Sequence, residues 1–231
     1  MNLHDRAFIR ALLRMAVERF NASIDRDTLL CPRANDLMKS PADWPAASER
    51  AIAHRLAFYI EHILIHEFLL PPDAMITVDC EYNRHRHAAK THTISQELVG
   101  IVLAAKRKAV KVEMISRRKG KLDACDQKPD NLGIDSPEFV FSIAPDIVVH
   151  RRLVDDDNLL VIELKKDTNK ESPQYDDLKL KQFTHPYDYH YELGAAVVAL
   201  DDVVGNKRFL RIAGFYEDGL KVWPKETQAN P

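Results

Sequence analysis

Glycine and cysteine are both scarce in this chain, and each shortage removes a class of function. Seven glycines in 231 residues form no Gly-x-Gly-x-x-Gly and no Walker lysine loop, so a backbone cradle for a nucleotide is not expected. The three cysteines, Cys31, Cys80 and Cys125, are odd in number and widely spaced. That argues against a disulfide framework and for a reducing, cytoplasmic setting. No cysteine stands at ligand spacing from His85, His87 or His92, which argues against zinc there. The His62/His66 pair lacks the Glu after its first His that a metalloprotease helix requires. No apolar run reaches membrane-spanning length, the N-terminus lacks the pattern of a secretory signal, and no internal repeat is present. Neither sign of charge dominates. Lys and Arg total 33 against 35 Asp and Glu, a net charge of −2, which does not mark an indiscriminate nucleic-acid binder.

The informative presence is Pro145-Asp146, followed by Glu163-Leu164-Lys165. Residues 144–150 and 159–165 are β-branched and apolar and read as strands. The polar run between them suits a turn. An antiparallel hairpin centred on residues 154–155 sets Asp146 opposite Glu163, on one face, with Cβ atoms roughly 4.5–5.5 Å apart. The alternation of a strand puts Lys165 on that face and turns Leu164 away. His150 shares the face too and is suited to packing, hydrogen bonding or a substrate phosphate. Both strands are apolar on both faces between their ends, so they read as interior strands with carboxylates at the rim of a core. Two carboxylates there need a counter-charge, which Lys165 and a divalent cation together would supply. An all-oxygen donor set favours Mg²⁺ or Mn²⁺, and such an ion suits phosphodiester hydrolysis.

The elements around the motif extend this reading. Ser48 caps a helix over Ala51–Leu70 whose apolar residues keep a 3.6-residue period, with Glu49 in its first turn and Pro71-Pro72 as its stop. A strand over Ala74–Cys80 follows. After Lys165 come a helix over Gln174–Thr184 and strands at Leu193–Leu200 and Phe209–Tyr216. The order helix, strand, strand, strand, helix, strand defines a mixed α/β architecture. Residues 1–47 read as an N-terminal helical extension and connector, with an amphipathic helix over 3–20 using Ala7, Phe8, Leu12, Met15, Ala16 and Phe20. Residues 48–223 read as the core, with a helical insertion at about 84–140 that holds a helix over Ser95–Ile115 and a loop over 119–138. Residues 224–231 read as a frayed tail. Eight lysines and arginines against one Glu over 106–121 suit either a phosphate clamp or the solvated face of a helix.

The blocks Ser48-Glu49-Arg50-Ala51-Ile52, Asp79-Cys80-Glu81-Tyr82-Asn83-Arg84, Pro145-Asp146-Ile147-Val148-Val149, Ile162-Glu163-Leu164-Lys165-Lys166 and Asp176-Asp177-Leu178-Lys179 follow one another in the chain. In that order they resemble the restriction-endonuclease-like PD-(D/E)xK superfamily, and within it a bacterial and phage-associated group. The resemblance spans roughly residues 45–215 outside the insertion. It implies an αβββαβ core with a mixed central sheet and a magnesium- or manganese-dependent nuclease acting on DNA rather than RNA, in phage defence, restriction or repair. It further implies Asp146, Glu163 and the Leu164 carbonyl as metal ligands, Lys165 as the catalytic lysine, and Glu49 as an added acidic residue holding a metal-bound water. Tyr82, Asn83, Arg84, Arg151, Lys166 and Lys179 are the residues assigned to nucleic-acid contact. A homodimer would allow two sites to cut two strands. The alternative is a module of the same fold without catalysis, binding nucleic acid or a protein partner.

Overall fold

Strand pairing organises the chain. The computed structural model describes residues 2–30, 47–81, 91–94, 113–115, 138–152, 154, 157–166, 173–202 and 207–222. The first helix, α1 (Arg6–Ala22), opens on Asp5, whose side chain accepts from the Ala7 amide. The second, α2 (Glu49–His66), opens on Ser48, whose hydroxyl accepts from the Ala51 amide. Both caps satisfy donors that a helix start leaves bare. The end of α2 falls short of the expected Leu70: Leu69 turns left-handed at φ 51° and the Leu70 amide donates to the Leu64 carbonyl. This wrap, completed before Pro71-Pro72, takes up the Ile63 and Leu64 carbonyls.

The strands are β1 (Ile76–Cys80), β2 (Thr91–Ile94), β3 (Glu113–Ile115), β4 (Glu138–Ser142), β5 (Ile147–Arg151), β6 (Asn158–Lys166), β7 (Leu193–Asp202), β8 (Lys207–Glu217) and β9 (Leu220–Val222), with α3 (Pro173–Phe183) between β6 and β7. Six of them form a mixed sheet ordered β1-β5-β6-β7-β8-β9. Only β6 and β7 run parallel, joined by the α3 crossover, as a parallel connection requires. The remaining three form a separate antiparallel sheet ordered β2-β4-β3. That sheet corrects the expected insertion at the end of its helix and the end of its loop. Residues 113–115, expected to end a helix, pair with β4, and residue 138, expected in a loop, starts a strand. The sequence of Glu138–Ser142, Glu-Phe-Val-Phe-Ser, has the alternation of a strand, but its partners are remote in the chain. The rest of the insertion, including the basic stretch over 106–112 and 116–121, lies outside the described residues, as does the segment from 223 onward.

The six-stranded sheet carries a core on each face. On one side α1 and α2 pack through Leu13, Phe20, Ile52, Leu56 and Ile60 against Ile147, Val149, Leu160 and Ile162. On the other, Tyr175, Leu180 and Phe183 of α3 cover Val148, Val161 and Tyr216. The α1 face sits slightly off the expected one: Ile9, Leu13 and Val17 are buried, while Ala7 is exposed and Phe8 and Met15 are half-buried. The Asn21 side chain pairs with the Leu210 amide and carbonyl at 2.8 Å each, tying α1 to β8.

Gly194 shows how tightly α3 lies on the sheet. A Cβ there would meet the Thr184 methyl at 3.0 Å and the Tyr216 Cβ at 3.1 Å. Neither neighbour can yield easily, since the Thr184 hydroxyl donates to Leu180 O at 2.9 Å and the Tyr216 hydroxyl to Asp177 at 2.7 Å. Gly194→Ala is therefore expected to destabilise by about 1–3 kcal/mol through overpacking. Urea unfolding checks this; a variant as stable as the parent would contradict the packing argument.

Candidate active site

The β5–β6 hairpin has the register that the spacing implied. Ile147 pairs with Ile162 and Val148 with Val161, and a bulge between Val149 and His150 shifts the rest. Asp146, immediately before β5, thus faces the end of β6 that carries Glu163. Its carboxylate accepts from the Leu164 amide at 2.6 Å, and its carbonyl accepts from the Glu81 amide at 3.1 Å. Asp146 is held from both strands that flank β5. Pro145 before it is buried and restricts Ala144 to an extended conformation.

Two helices complete the cluster from opposite sides of the sheet. From α2, Glu49 accepts the Lys166 amide at 2.9 Å, reaching the C-terminal end of β6. From α3, Asp176 accepts the Lys165 ammonium at 2.7 Å. Lys179, one turn later, donates to Glu163 and lies 3.5 Å from Asp176. Glu163 is 4 % exposed and Lys179 7 %, so this pair is interior rather than a surface bridge. One Glu163 oxygen is bonded to Lys179, and the other, Oε1, is buried with no hydrogen-bond partner.

Four carboxylates (Glu49, Asp146, Glu163 and Asp176) against two ammonium groups (Lys165 and Lys179) leave a formal charge of −2 when all are ionised. Burial raises two of the acids, Asp146 and Glu163. Burial, reinforced by Asp176 and Glu49 and opposed by Lys179 and the Leu164 amide, pushes Asp146 up to about 6. Burial drives Glu163 well above the usual carboxylate range despite Lys179, with Asp146 and Asp176 adding to the rise. Burial works to lower Lys179, but Glu163, Asp176 and Asp146 outweigh it and hold the ammonium charged. Such groups exchange protons as a coupled set.

Among the described residues no group of three or more His, Cys, Asp or Glu side chains is arranged to hold a metal ion. Mg²⁺ needs fewer, since it commonly keeps several waters and takes one or two carboxylates. The oxygen-only donors, the orphaned Glu163 Oε1 and the surplus of negative charge fit such an ion on Asp146 and Glu163.

The other expected site residues are dispersed. Arg151 lies at the far end of β5, about 16 Å along the strand from Asp146 at roughly 3.3 Å per residue, where it pairs with Asp157 at 2.9 Å. Lys166 is at the cluster, but its ammonium donates to the Ala47 carbonyl at 3.2 Å. Lys179 lies inside the cluster rather than on a surface. Tyr82, Asn83 and Arg84 lie outside the described residues. His150 is buried and bonded to Asp79 at 3.1 Å, and Arg152 completes that group. Although burial works upward, Arg152 and His150 hold the Asp79 carboxyl well below its usual range. Asp176 is the site residue that the sequence reading passed over. Its position three before Lys179 puts both on one helix face, and that spacing was the available signal.

Comparison with family models, with curated proteins and with solved structures returned no match.

The raised Asp146 has a signed consequence for the metal-free protein. Between the reference value of 3.8 and the folded value of about 6, the folded state binds the proton more tightly than the unfolded chain. Stability from this group is therefore present at low pH and lost as pH rises through that window. Asp146→Asn keeps an oxygen for the Leu164 amide and carries no charge. Its melting temperature relative to wild type, measured in chelator, should rise from pH 4 to pH 7. A difference that does not change with pH would contradict the buried-charge account.

Proposed function

We propose that this protein is a divalent-metal-dependent phosphodiester hydrolase, a nuclease acting on DNA, of the PD-(D/E)xK superfamily that its sequence resembles. The observation that carries the reading is the convergence of Asp146 and Glu163 at one end of a rigid hairpin, with a buried Glu163 oxygen lacking any partner. The order α2, β1, β5, β6, α3, β7 within the six-stranded sheet supports a restriction-endonuclease-like core. Mg²⁺ or Mn²⁺ on Asp146 and Glu163, with the Leu164 carbonyl beside them, would supply a polarised phosphoryl oxygen and an acidic bound water.

The chain's own groups then have definable tasks. Asp146 is pinned through the Leu164 amide, so its orientation costs nothing at the moment of reaction; such preorganisation is where electrostatic catalysis gains most. Lys165, steadied by Asp176 at 2.7 Å, brings an ammonium to the same face and can neutralise charge on a phosphorane-like transition state. Glu49 braces the end of β6, where the resemblance would have it hold a metal-bound water. The α2 start beside it would add the positive end of a helix dipole to the site. A homodimer would give duplex cleavage its second site.

One observation favours the second reading, a nuclease-fold module without catalysis: both lysines of the cluster are tied to carboxylates. The experiment that separates the two readings is incubation of the full chain with plasmid DNA, single-stranded DNA and RNA in Mg²⁺ or Mn²⁺. Cleavage is expected, abolished by chelator and reduced by roughly 100-fold or more in Glu163→Gln and Asp146→Asn, about 2.7 kcal/mol of barrier. Intact substrates throughout, with binding indifferent to Asp146→Asn and to chelator, would favour the module.

A further inference from the structure

Lys179 occupies a place that surface lysines do not. At 7 % exposure it has exchanged water for a pocket made of Glu163, Asp176 at 3.5 Å and the face of the Tyr175 ring at 5.0 Å. An ammonium is buried at a heavy desolvation cost unless it is paired, and here the pairing falls on the carboxylate most deeply placed in the site. We propose that the Lys179 ammonium is the site's resident counter-ion and competes with the divalent ion for Glu163, so that metal loading requires Lys179 to release Glu163. This rests on the metal-site reading given above.

Three features carry the inference. First, Lys179 holds one Glu163 oxygen while the other has no partner, so an ion taking Glu163 comes within a few ångströms of the ammonium. Repulsion between a divalent and a monovalent cation at that range, in a poorly solvated site, outweighs an ordinary hydrogen bond. Second, a station for the released ammonium already exists: Asp176 Oδ1 lies 3.5 Å from Lys179 Nζ, on the residue whose other oxygen holds Lys165. Asp176 and Lys179 stand on the same helix, so the handover involves no further element. Third, Lys165 and Lys179 meet at Asp176, so the carboxylate that keeps Lys165 in place is also the one that receives Lys179. Metal entry at Glu163 and the setting of Lys165 are thereby linked through one residue.

The test uses the chelator-stripped full chain and Mn²⁺ alone, with calorimetric titration and thermal melts on wild type, Lys179→Met, Lys179→Gln and Asp146→Asn. Removal of the competitor is expected to tighten Mn²⁺ binding roughly ten-fold or more in Lys179→Met. The metal-free melting temperature should fall on the order of 10 °C, because two buried acids lose their counter-ion. Saturating Mn²⁺ should close most of that gap, which a purely structural lysine would leave open. Lys179→Gln retains a hydrogen-bond donor and carries the test if the Met variant does not fold. Unchanged or weaker Mn²⁺ affinity in the folded Lys179 variants, alongside wild-type binding that Asp146→Asn abolishes, overturns the competition and leaves the metal reading standing. No Mn²⁺ binding in wild type or in any variant, or binding that Asp146→Asn leaves intact, overturns both.

Discussion

The register between β5 and β6 is the constraint on which the acidic cluster depends. A slip of one residue would send Glu163 and Lys165 to the α1/α2 face and bring Leu164 into their place. Two things prevent it. Both strands bury apolar side chains on both faces, with Ile147, Val149, Leu160 and Ile162 on one side and Val148 and Val161 on the other, so any slip forces a mismatch across two cores. The Asp146 carboxylate adds a local lock, because its bond to the Leu164 amide is available in one register only. The same bond that orients a prospective ligand also fixes the strand that carries the other one.

Given that register, the rest of the site is an exercise in charge balance. The sheet alone brings Asp146, Glu163 and Lys165 together, with one positive charge against two negative ones. The α3 helix adds Asp176 and Lys179, one of each sign, and therefore changes the arrangement without changing the balance. Glu49 from α2 tips it further negative. Natural cores rarely keep such surplus charge, since burying it costs more than well-packed apolar replacements would. An interior that retains two acids with raised proton affinity and an oxygen without a partner is consistent with a site whose balance is completed from solution. Cys80, next to this region, follows the same field: burial, then Asp79, Asp146 and Glu81, push its thiol up to about 11.

Much of this was legible from local pattern. The hairpin centre followed from counting outward through two apolar runs, and the start of α2 followed from Ser48. What escaped was whatever depended on partners remote in the chain. The three-stranded sheet is the clearest case. Thr91–Ile94 and Glu113–Ile115 are too short to announce themselves, and each becomes a strand only by pairing with Glu138–Ser142. Lys179 could be assigned to a face of α3, but whether that face met phosphate or Glu163 depended on how closely the helix lies on the sheet. That closeness is set by Gly194, Thr184 and Tyr216, none of which carries a signal of its own.

The placement of the cluster also follows from the one parallel pair in the main sheet. A parallel connection carries the chain off the carboxyl end of its first strand, over a helix and back. Here β6 ends at Lys166 and α3 begins at Pro173, and the last residues of β6 meet the first turns of α3. Glu163 and Lys165 point toward α3 because Leu160, Ile162 and Leu164 belong to the opposite core. Asp176 and Lys179 point back because Tyr175, Leu180 and Phe183 are taken up in packing on the sheet. Polar residues excluded from both cores have one common place left to meet. The apolar pattern of β6 and α3 thus puts these four charged groups in contact before any interaction among them is considered, and electrostatics then decides which ammonium answers which carboxylate.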